Sequence, residues 1–467
     1  MRIAVFGCGY IYDTYKDLIP DSDEIVVILD NDVTLHGQKK DGYIRVYPRE
    51  ISGFDVDRVI IMSDYAAEMR EQLLRLDFPK EKIVHYNDYI GGLNSSIRYL
   101  AKAKNNVLNS NLLIISNKLG YHGGAVVSFR TAITAQRMGY TVSIAAPDAD
   151  ELFLNEIKES GIEIIIQRNL DNSSEENLSW TSKFDIVIVN TFPMILCAIR
   201  IARHKKVCVW LHESAVTYQS MEYWHDEIQK GLIDDNIELM AVTERAKENL
   251  LRFYTYKKSI SIMSVPINDN YMKGDTQNHK PCSKKMNVVL CGAMSKHKGY
   301  DFAIKAIDDI ESHKGICLYM VGKIFNDDYC QTILRQIKGR AEFCYVGEKS
   351  TTYMTNMYLK TDLVIVPSYE ETFSMVAAEA MMMGKVCAVS DHCGIAEYIE
   401  NGVNGFVFPR NDAKALKEII IRCMNNREEL KSIGDRARKT YVSCFSDGVF
   451  EKKINKMLMR MTKDHQQ

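Results

Sequence analysis

Residues 364–384 read VIVPSYEETFSMVAAEAMMMG, and this stretch decides how the chain is built. The apolar run Leu363–Val366 ahead of the turn has the unbroken hydrophobicity of a parallel strand buried on both faces. Pro367-Ser368 turns the chain into a polar loop carrying Glu370 and Glu371. From Ser374 the pattern is helical, rich in Ala and Met, and it stops at Gly384 as a helix C-terminus does. Ser374 is an N-cap residue, so the amides of Met375 and Val376 point out of the helix start without intrahelical acceptors. A strand, a tight loop and a helix N-terminus together make a site for an anion such as a diphosphate. Glu371 precedes that terminus and Glu379 lies just over one turn inside it. Carboxylates so placed can accept hydrogen bonds from sugar and ribose hydroxyls.

Working outward, the chain begins a strand-then-turn unit three times: at Arg2–Gly9, Asn111–Gly124 and Asn287–Gly299. Each opens a series of strands alternating with helices, which predicts three Rossmann-like, doubly wound α/β domains. The spans are 1–105, 106–275 and 276–445, with a closing helix over 446–467. In the first, Gly7-x-Gly9 follows a strand and Asp30 ends the next one, but Tyr12 replaces the third glycine of a dinucleotide fingerprint. A structural or small-ligand domain is therefore expected there. Ser95–Ser110 reads as a helical or loose connection, and the polar Met272–Lys285 as a linker. In the second domain, Gly123-Gly124 lets the backbone approach a ligand. Its apolar runs end in polar residues, where ligands gather in parallel sheets: His212 after VCVWL, with Glu213 and Thr243-Glu244 as lesser candidates.

Composition removes several function classes. The chain has 467 residues, 46% of them hydrophobic and 26% charged, with net charge -2, so bulk electrostatics gives no case for nucleic acid. MRIAVFGCGY enters a strand directly, which predicts a chain without a secretory leader. The longest apolar stretch, Ile186–Ile199, is broken by Asn190, Thr191 and Pro193 and is too short to span a bilayer. Twelve cysteines occur singly, without a Cys-x-x-Cys pair, so reduced thiols in a cytoplasmic protein and no metal site are expected. Asp-x-Asp triplets at 30–32, 55–57 and 148–150 read as background in an Asp-rich chain.

The central stretch closely resembles the donor-site motif of the retaining family-4 glycosyltransferases, which have the GT-B fold. Glu371-x7-Glu379 stands with Pro367-Ser368 before it, Glu371-Thr372-Phe373-Ser374 across it and Glu379-Ala380 at its end. The resemblance implies that the last two domains form a GT-B pair with the active site in the interdomain cleft. Residues 106–275 would be the acceptor domain and 276–445 the nucleotide-sugar domain, with the last helix crossing back to the acceptor domain. It also implies transfer of a sugar from a nucleotide-sugar donor to an acceptor hydroxyl with retention, needing no cofactor and no metal. Lys298, before Gly299, fits the family's lysine at the leaving diphosphate. The position of the family's arginine, ahead of that lysine, is filled by Ala293, so Lys296 is the substitute cation. Gly292 lies in the same segment; Gly322 and Gly347 end strands near the nucleotide base, and Thr372, Phe373, Ser374, Met375 and Val376 complete the donor loop. His212 occupies the position of a histidine that faces the donor sugar, and Gly123-Gly124 that of a loop facing the phosphates and the acceptor. KVCAVSDHCGIAEYIENGVNGFVF resembles the family's Gly-Gly-x-x-Glu and Asn-Gly-x-x-Gly segments, with Cys393 in place of the first glycine.

The first domain resembles short modules fused to bacterial surface-polysaccharide enzymes, which implies a docking or homo-oligomerisation role. The acceptor implied is a glycan or a lipid-linked glycan. The basic stretches Arg200–Lys206 and Lys257-Lys258 suit a solvated face as well as the inner face of a membrane. Ala293 motivates one rival, a catalytically weak nucleotide-sugar-binding partner subunit; a nucleotide-sugar epimerase on a related fold is another, and a dehydrogenase driven by the first domain a third.

Overall fold

In a computed structural model, the described residues are 1–16, 19–63, 65–90, 96–99, 110–271, 285–311 and 315–463. Three sheets form, and their central strands read as apolar runs. The first contains β1 (Arg2–Phe6), β2 (Glu24–Leu29), β3 (Lys39–Lys40), β4 (Tyr43–Val46), β5 (Arg58–Ile61) and β6 (Ile83–His85) in the order β3-β4-β2-β1-β5-β6. Alternation along β1 sends Ala4 and Phe6 into one core with Val27 and Leu29, and Ile3 and Val5 into another with Ile28 and Ile60. Burial of both faces explains why these strands are continuously hydrophobic.

The second sheet takes up β7 (Ser96–Tyr99), β8 (Asn111–Ile115), β9 (Thr141–Ala146), β10 (Glu163–Gln167), β11 (Ile186–Val189) and β12 (Val207–Leu211), in the order β12-β11-β8-β9-β10-β7. β7 pairs antiparallel to β10, so part of the stretch expected to be a helical or loose connection is an edge strand. Its backbone groups are drawn into the ladder by β10, whose outer edge would otherwise be unpaired. Residues 100–109 and 272–284, the rest of that connection and nearly all of the expected linker, lie outside the described residues.

The chain divides into two compact units, Met1–Leu239 with Asn249–Ser259, and Met240–Glu248 with Ile260–Asp464. It passes between them within β13 (Ile237–Ala241), whose last residues pair with β14 (Ser261–Ile262). The second unit holds the third sheet: β15 (Met286–Cys291), β16 (Ile316–Val321), β17 (Phe343–Gly347), β18 (Leu363–Val366), β19 (Val386–Ser390) and β20 (Phe406–Phe408), ordered β17-β16-β15-β18-β19-β20. All its pairings are parallel. The last helix, Asp447–Lys463, belongs to this unit. No helix among the described residues is long and apolar enough to cross a membrane.

In each sheet the order reverses once: between β1 and β5, between β8 and β11, and between β15 and β18. Connections leave to opposite faces at such a reversal and open a crevice at the strand C-terminal ends.

Candidate functional site

In the second unit, the loops after β15 and β18 meet at that crevice. Gly299 closes the turn Lys296–Lys298 at φ +70°, and a Cβ on it would stand 2.3 Å from the Pro367 carbonyl oxygen. Only glycine satisfies both demands. Tyr369 N–H donates to the His297 carbonyl at 2.9 Å and ties the same two loops together. The result places Lys298 Nζ 3.1 Å from Glu371 Oε2, with both side chains about three-quarters or more buried at 26% and 17% exposure. Ser368 Oγ donates to the same carboxylate oxygen at 2.9 Å. Lys296 is exposed and makes no ion pair with a described residue, and Ala293 is partly exposed.

The helix after Glu371 spans Met375–Met382, and Ser374 caps it as expected, accepting from the Ala377 N–H at 3.4 Å. Ser374 sits at φ +98°, a strained conformation for a residue with a side chain. Capping satisfies Ala377, and the amides of Met375 and Val376 lie at the same end. Phe373 is buried edge-on against Phe445, with ring centroids 5.3 Å apart. The Thr372 carbonyl accepts from Thr243 Oγ1 at 2.6 Å, so Thr243 braces the loop. Gly394 is required beneath it, because a Cβ there would lie 2.0 Å from that carbonyl oxygen. Cys393, just before it, is buried, and the Glu397 carboxylate accepts from the amides of Glu244 and Arg245.

Glu379 faces a different set of partners. Tyr358 Oη donates to its Oε2 at 3.2 Å. Cys291, the last residue of β15, has its thiol pushed up to about 12 by burial and then by the Glu379 charge. The structure thus brings Lys298, Glu371 and Ser368 into one cluster, and into another Glu379 from the helix Met375–Met382, Tyr358 from the helix Thr351–Leu359 and Cys291 from the end of β15. Gly292 and Gly322 are held by backbone contact: a Cβ on Gly322 would lie 1.8 Å from the Gly292 carbonyl oxygen, and Tyr300 Oη donates to that carbonyl at 2.6 Å. Gly322 N–H donates to the Gly347 carbonyl, and Gly347, at φ +80°, has open space where a side chain would be.

In the first unit a second cluster forms at the reversal between β8 and β11. Gly123 starts the helix Gly123–Arg137, and its missing side chain faces open space. Asn190, which ends β11, donates from Nδ2 to the Gly124 carbonyl at 2.8 Å and to Ser128 Oγ at 2.7 Å. Its Oδ1 therefore faces His212 Nε2 at 3.1 Å, and since Oδ1 can only accept, the Nε2 atom carries the hydrogen. Burial drives the His212 pKa down to about 3, so the ring is neutral with an unprotonated Nδ1. Burial pushes the Glu213 carboxyl up to about 7, although its Oε2 accepts the His212 N–H at 2.7 Å. Asn190, Ser368 and Tyr358 were not singled out from the sequence. Asn190 carried a usable signal, a polar residue ending the apolar run DIVIVN, the same feature that marked His212.

The basic stretch Arg200–Lys206 is largely engaged within the protein. Arg200 pairs with Glu227 and Arg203 with Glu175, while Lys205 Nζ donates to the Thr181, Ser182 and Phe184 carbonyls. Lys258 likewise donates to the carbonyls of Asp234 and Asp235. Arg203, His204 and Lys257 are exposed and the other lysines of these stretches partly so, while Lys205 and Lys258 satisfy carbonyls of neighbouring segments.

Residues 275–440 match the family described as Glycosyl transferases group 1, and residues 1–84 match C2185-like, N-terminal. An uncharacterized glycosyltransferase of Methanocaldococcus jannaschii is 30% identical over 125 residues, 27% of this chain and 32% of that protein. The lipopolysaccharide 1,2-N-acetylglucosaminetransferase of Salmonella typhimurium is 26% identical over 203 residues, 39% of this chain and 52% of that one. The amylovoran biosynthesis glycosyltransferase AmsK of Erwinia amylovora is 21% identical over 272 residues, 56% and 66% of the two chains. The match spans about a third to a half of the length of the first of these relatives. Among solved structures, a glycosyltransferase from Rickettsia africae superposes with TM-score 0.62 at 19% identity, over 76% of this chain and all of that one. HepE of Anabaena in complex with UDP-glucose gives 0.63 at 16% identity, over 75% and 99%. These likenesses establish the fold, that of the GT-B glycosyltransferases.

Proposed function

We propose that this chain is a glycosyltransferase that moves a sugar from a nucleotide-diphosphate donor to an acceptor hydroxyl with retention of anomeric configuration. The observation that carries the reading is the Lys298–Glu371 pair, 3.1 Å apart at the β15–β18 reversal and next to the start of the helix Met375–Met382. In the reaction, the bond between the anomeric carbon and the diphosphate oxygen breaks and its electron pair leaves with the nucleoside diphosphate. The acceptor oxygen bonds to that carbon on the same face, and its proton passes to the departing diphosphate. Lys298 and the amides of Met375 and Val376 stabilise the growing negative charge, a preorganised electrostatic contribution of the kind that usually dominates rate. Glu371 orients sugar hydroxyls and Glu379 accepts from the ribose diol. Lys296 supplies the cation that Ala293 lacks, and Gly292, Gly322, Gly347, Thr372 and Phe373 shape the donor loop. From the first unit, Gly123 and Gly124 let the backbone approach the donor phosphates and the acceptor, and neutral His212 contributes an imidazole that binds without adding charge.

The relatives named for lipopolysaccharide and amylovoran synthesis support a glycan or lipid-linked acceptor in bacterial surface polysaccharide assembly. Ala293 favours one second reading, a donor-binding subunit with little turnover of its own. Thermal stabilisation by a panel of UDP-, GDP- and ADP-sugars, followed by NMR of the products formed with an acceptor, tests both. Donor binding with a retained anomeric configuration in the product is expected. Binding without turnover of any donor supports the subunit reading, and an inverted product overturns retention.

A further inference from the structure

Glu379 is brought to its place by a helix, but the direction of its carboxylate is decided elsewhere in the second compact unit. Ala377, Ala378, Ala380 and Met381 of that helix are fully buried, whereas Glu379 is only partly so. The terminal torsion of a glutamate has a broad energy profile, so the backbone alone leaves the carboxylate plane undefined.

Tyr358 supplies the missing constraint. Its Oη donates to Glu379 Oε2 at 3.2 Å, and the residue is 2% exposed. Burial holds the phenol pKa well above the ordinary 10, so the hydroxyl stays a donor. The ring is itself held by a rigid frame. Its helix, Thr351–Leu359, is capped at the start by the Ser350 side chain, which accepts from the Tyr353 N–H. At the other end, Lys385 Nζ donates to the Leu359 carbonyl at 2.8 Å, and Asn287 Nδ2 to the Lys360 carbonyl at 2.9 Å. Lys385 directly follows Gly384, just past the helix that carries Glu379, so the two helices are tied at two places. Asn287 lies on β15, whose last residue, Cys291, senses the Glu379 charge.

The two glutamates of the central stretch are thus held by different chemistry. Glu371 meets the Lys298 ammonium, and Glu379 meets a neutral phenol. A neutral donor fixes direction without cancelling charge. It takes one of the roughly four acceptor positions of a carboxylate and leaves the acceptor strength that hydroxyl groups need.

We propose that Tyr358 is a positioning residue for nucleotide recognition: it holds the Glu379 carboxylate in the orientation that accepts a ribose diol. Tyr358 thereby sets a preference for ribonucleotides without touching the ligand. This inference rests on the reading of Glu379 as the ribose acceptor.

The test is calorimetric titration of the full chain with UDP, GDP and ADP, each beside its 2′,3′-dideoxy counterpart. The wild type should prefer at least one ribonucleotide over its dideoxy form. Tyr358→Phe keeps the ring and removes the donor. It should weaken binding of that ribonucleotide about tenfold, the scale of one hydrogen bond to a charged group, and leave the dideoxy form unchanged. The dideoxy affinity and thermal unfolding report that the variant is folded. Glu379→Ala should abolish the preference, and adding Tyr358→Phe to it should change nothing further, because both act through one carboxylate. A Tyr358→Phe variant that weakens both ligands alike overturns the proposal, since that is the mark of a structural role. A preference lost in Glu379→Ala but intact in Tyr358→Phe also overturns it and leaves the assignment of Glu379 standing. A wild type that binds none of the three, or binds ribose and dideoxyribose forms equally, removes that assignment and the proposal with it.

Discussion

Lys298 and Glu371 form an ion pair, yet their shared geometry is explained better by chemistry than by stability. Both side chains are mostly buried, so removing one charge leaves the other without its partner and lowers stability as well. Lys298→Ala is expected to lower turnover by about a hundred- to a thousand-fold, the usual scale for removing one charge-stabilising donor. Turnover preserved in folded Lys298→Ala would sink the assignment. His212 permits a sharper prediction. Asn190 fixes its tautomer, so ¹⁵N-histidine spectra should show a protonated Nε2 and a bare Nδ1, and Asn190→Leu should mix the tautomers. Beside it, Glu213 has its pKa raised from an ordinary 4.5 to about 7. Between those values the native state holds a proton that the unfolded chain has released, so this group's stabilising effect is lost as pH rises through 7. His212 works in the opposite sense: its native pKa near 3 lies below the ordinary 6.5, so the unfolded state binds the proton and stability rises with pH through 6.5. Comparing Glu213→Gln with the wild type isolates the first effect. The variant should gain on the order of 2 kcal/mol relative to wild type between pH 5.5 and 8.5 in urea unfolding.

At the scale of elements, the decisive objects are strand-to-helix turns that bring backbone against backbone. Gly299 and Gly347 both have positive φ, +70° and +80°, but only at Gly299 would an added Cβ meet another chain segment. Gly347→Ala should therefore cost about 1 kcal/mol through backbone strain alone. Gly299→Ala adds a clash with Pro367, must shift Lys298 and should lower both stability and turnover. Equal effects from the two variants would contradict this account. These turns were partly legible in the sequence: apolar runs ending in Gly, Ser or Glu announce parallel strands and their ligand-side ends. The helix of the central stretch followed from Ser374 and Gly384 in the same way. Which glycines carry steric demand was not legible, because the clash partners of Gly299 and Gly394 come from segments distant in sequence. Nor was β7, since Ser96–Tyr99 owes its strand to the unpaired edge of β10 rather than to its own pattern.

Across the molecule, one device is used three times: a doubly wound sheet whose order reverses once, with polar groups gathered at the reversal. Local patterning was enough to find the three sheets, since both faces of each must be apolar. The partners at each reversal depend on strand order, which no local pattern encodes, and so the roles of Asn190 and Tyr358 escaped sequence reading. The first two domains also share one compact unit, and the reason can be traced to Tyr223. Its ring packs against the first domain's core, with the Arg70 guanidinium 5.5 Å from its centroid. Asn172 Nδ2 donates to Asp88 Oδ1 at 2.6 Å across the same junction. Tyr223 and Trp224 both set their rings against His85, at 5.3 and 4.4 Å between centroids, and truncating an aromatic anchor of this kind costs about 2–4 kcal/mol. Tyr223→Ala should therefore uncouple the first domain from the second without unfolding either. Native-state hydrogen exchange is the measurement: protection should fall at Ile83–His85 and Glu222–Trp224 while β1 and β8 keep theirs. If protection in β1 collapses together with that of the junction, the two domains fold as one cooperative body, and the anchor belongs to a common core rather than to a joint.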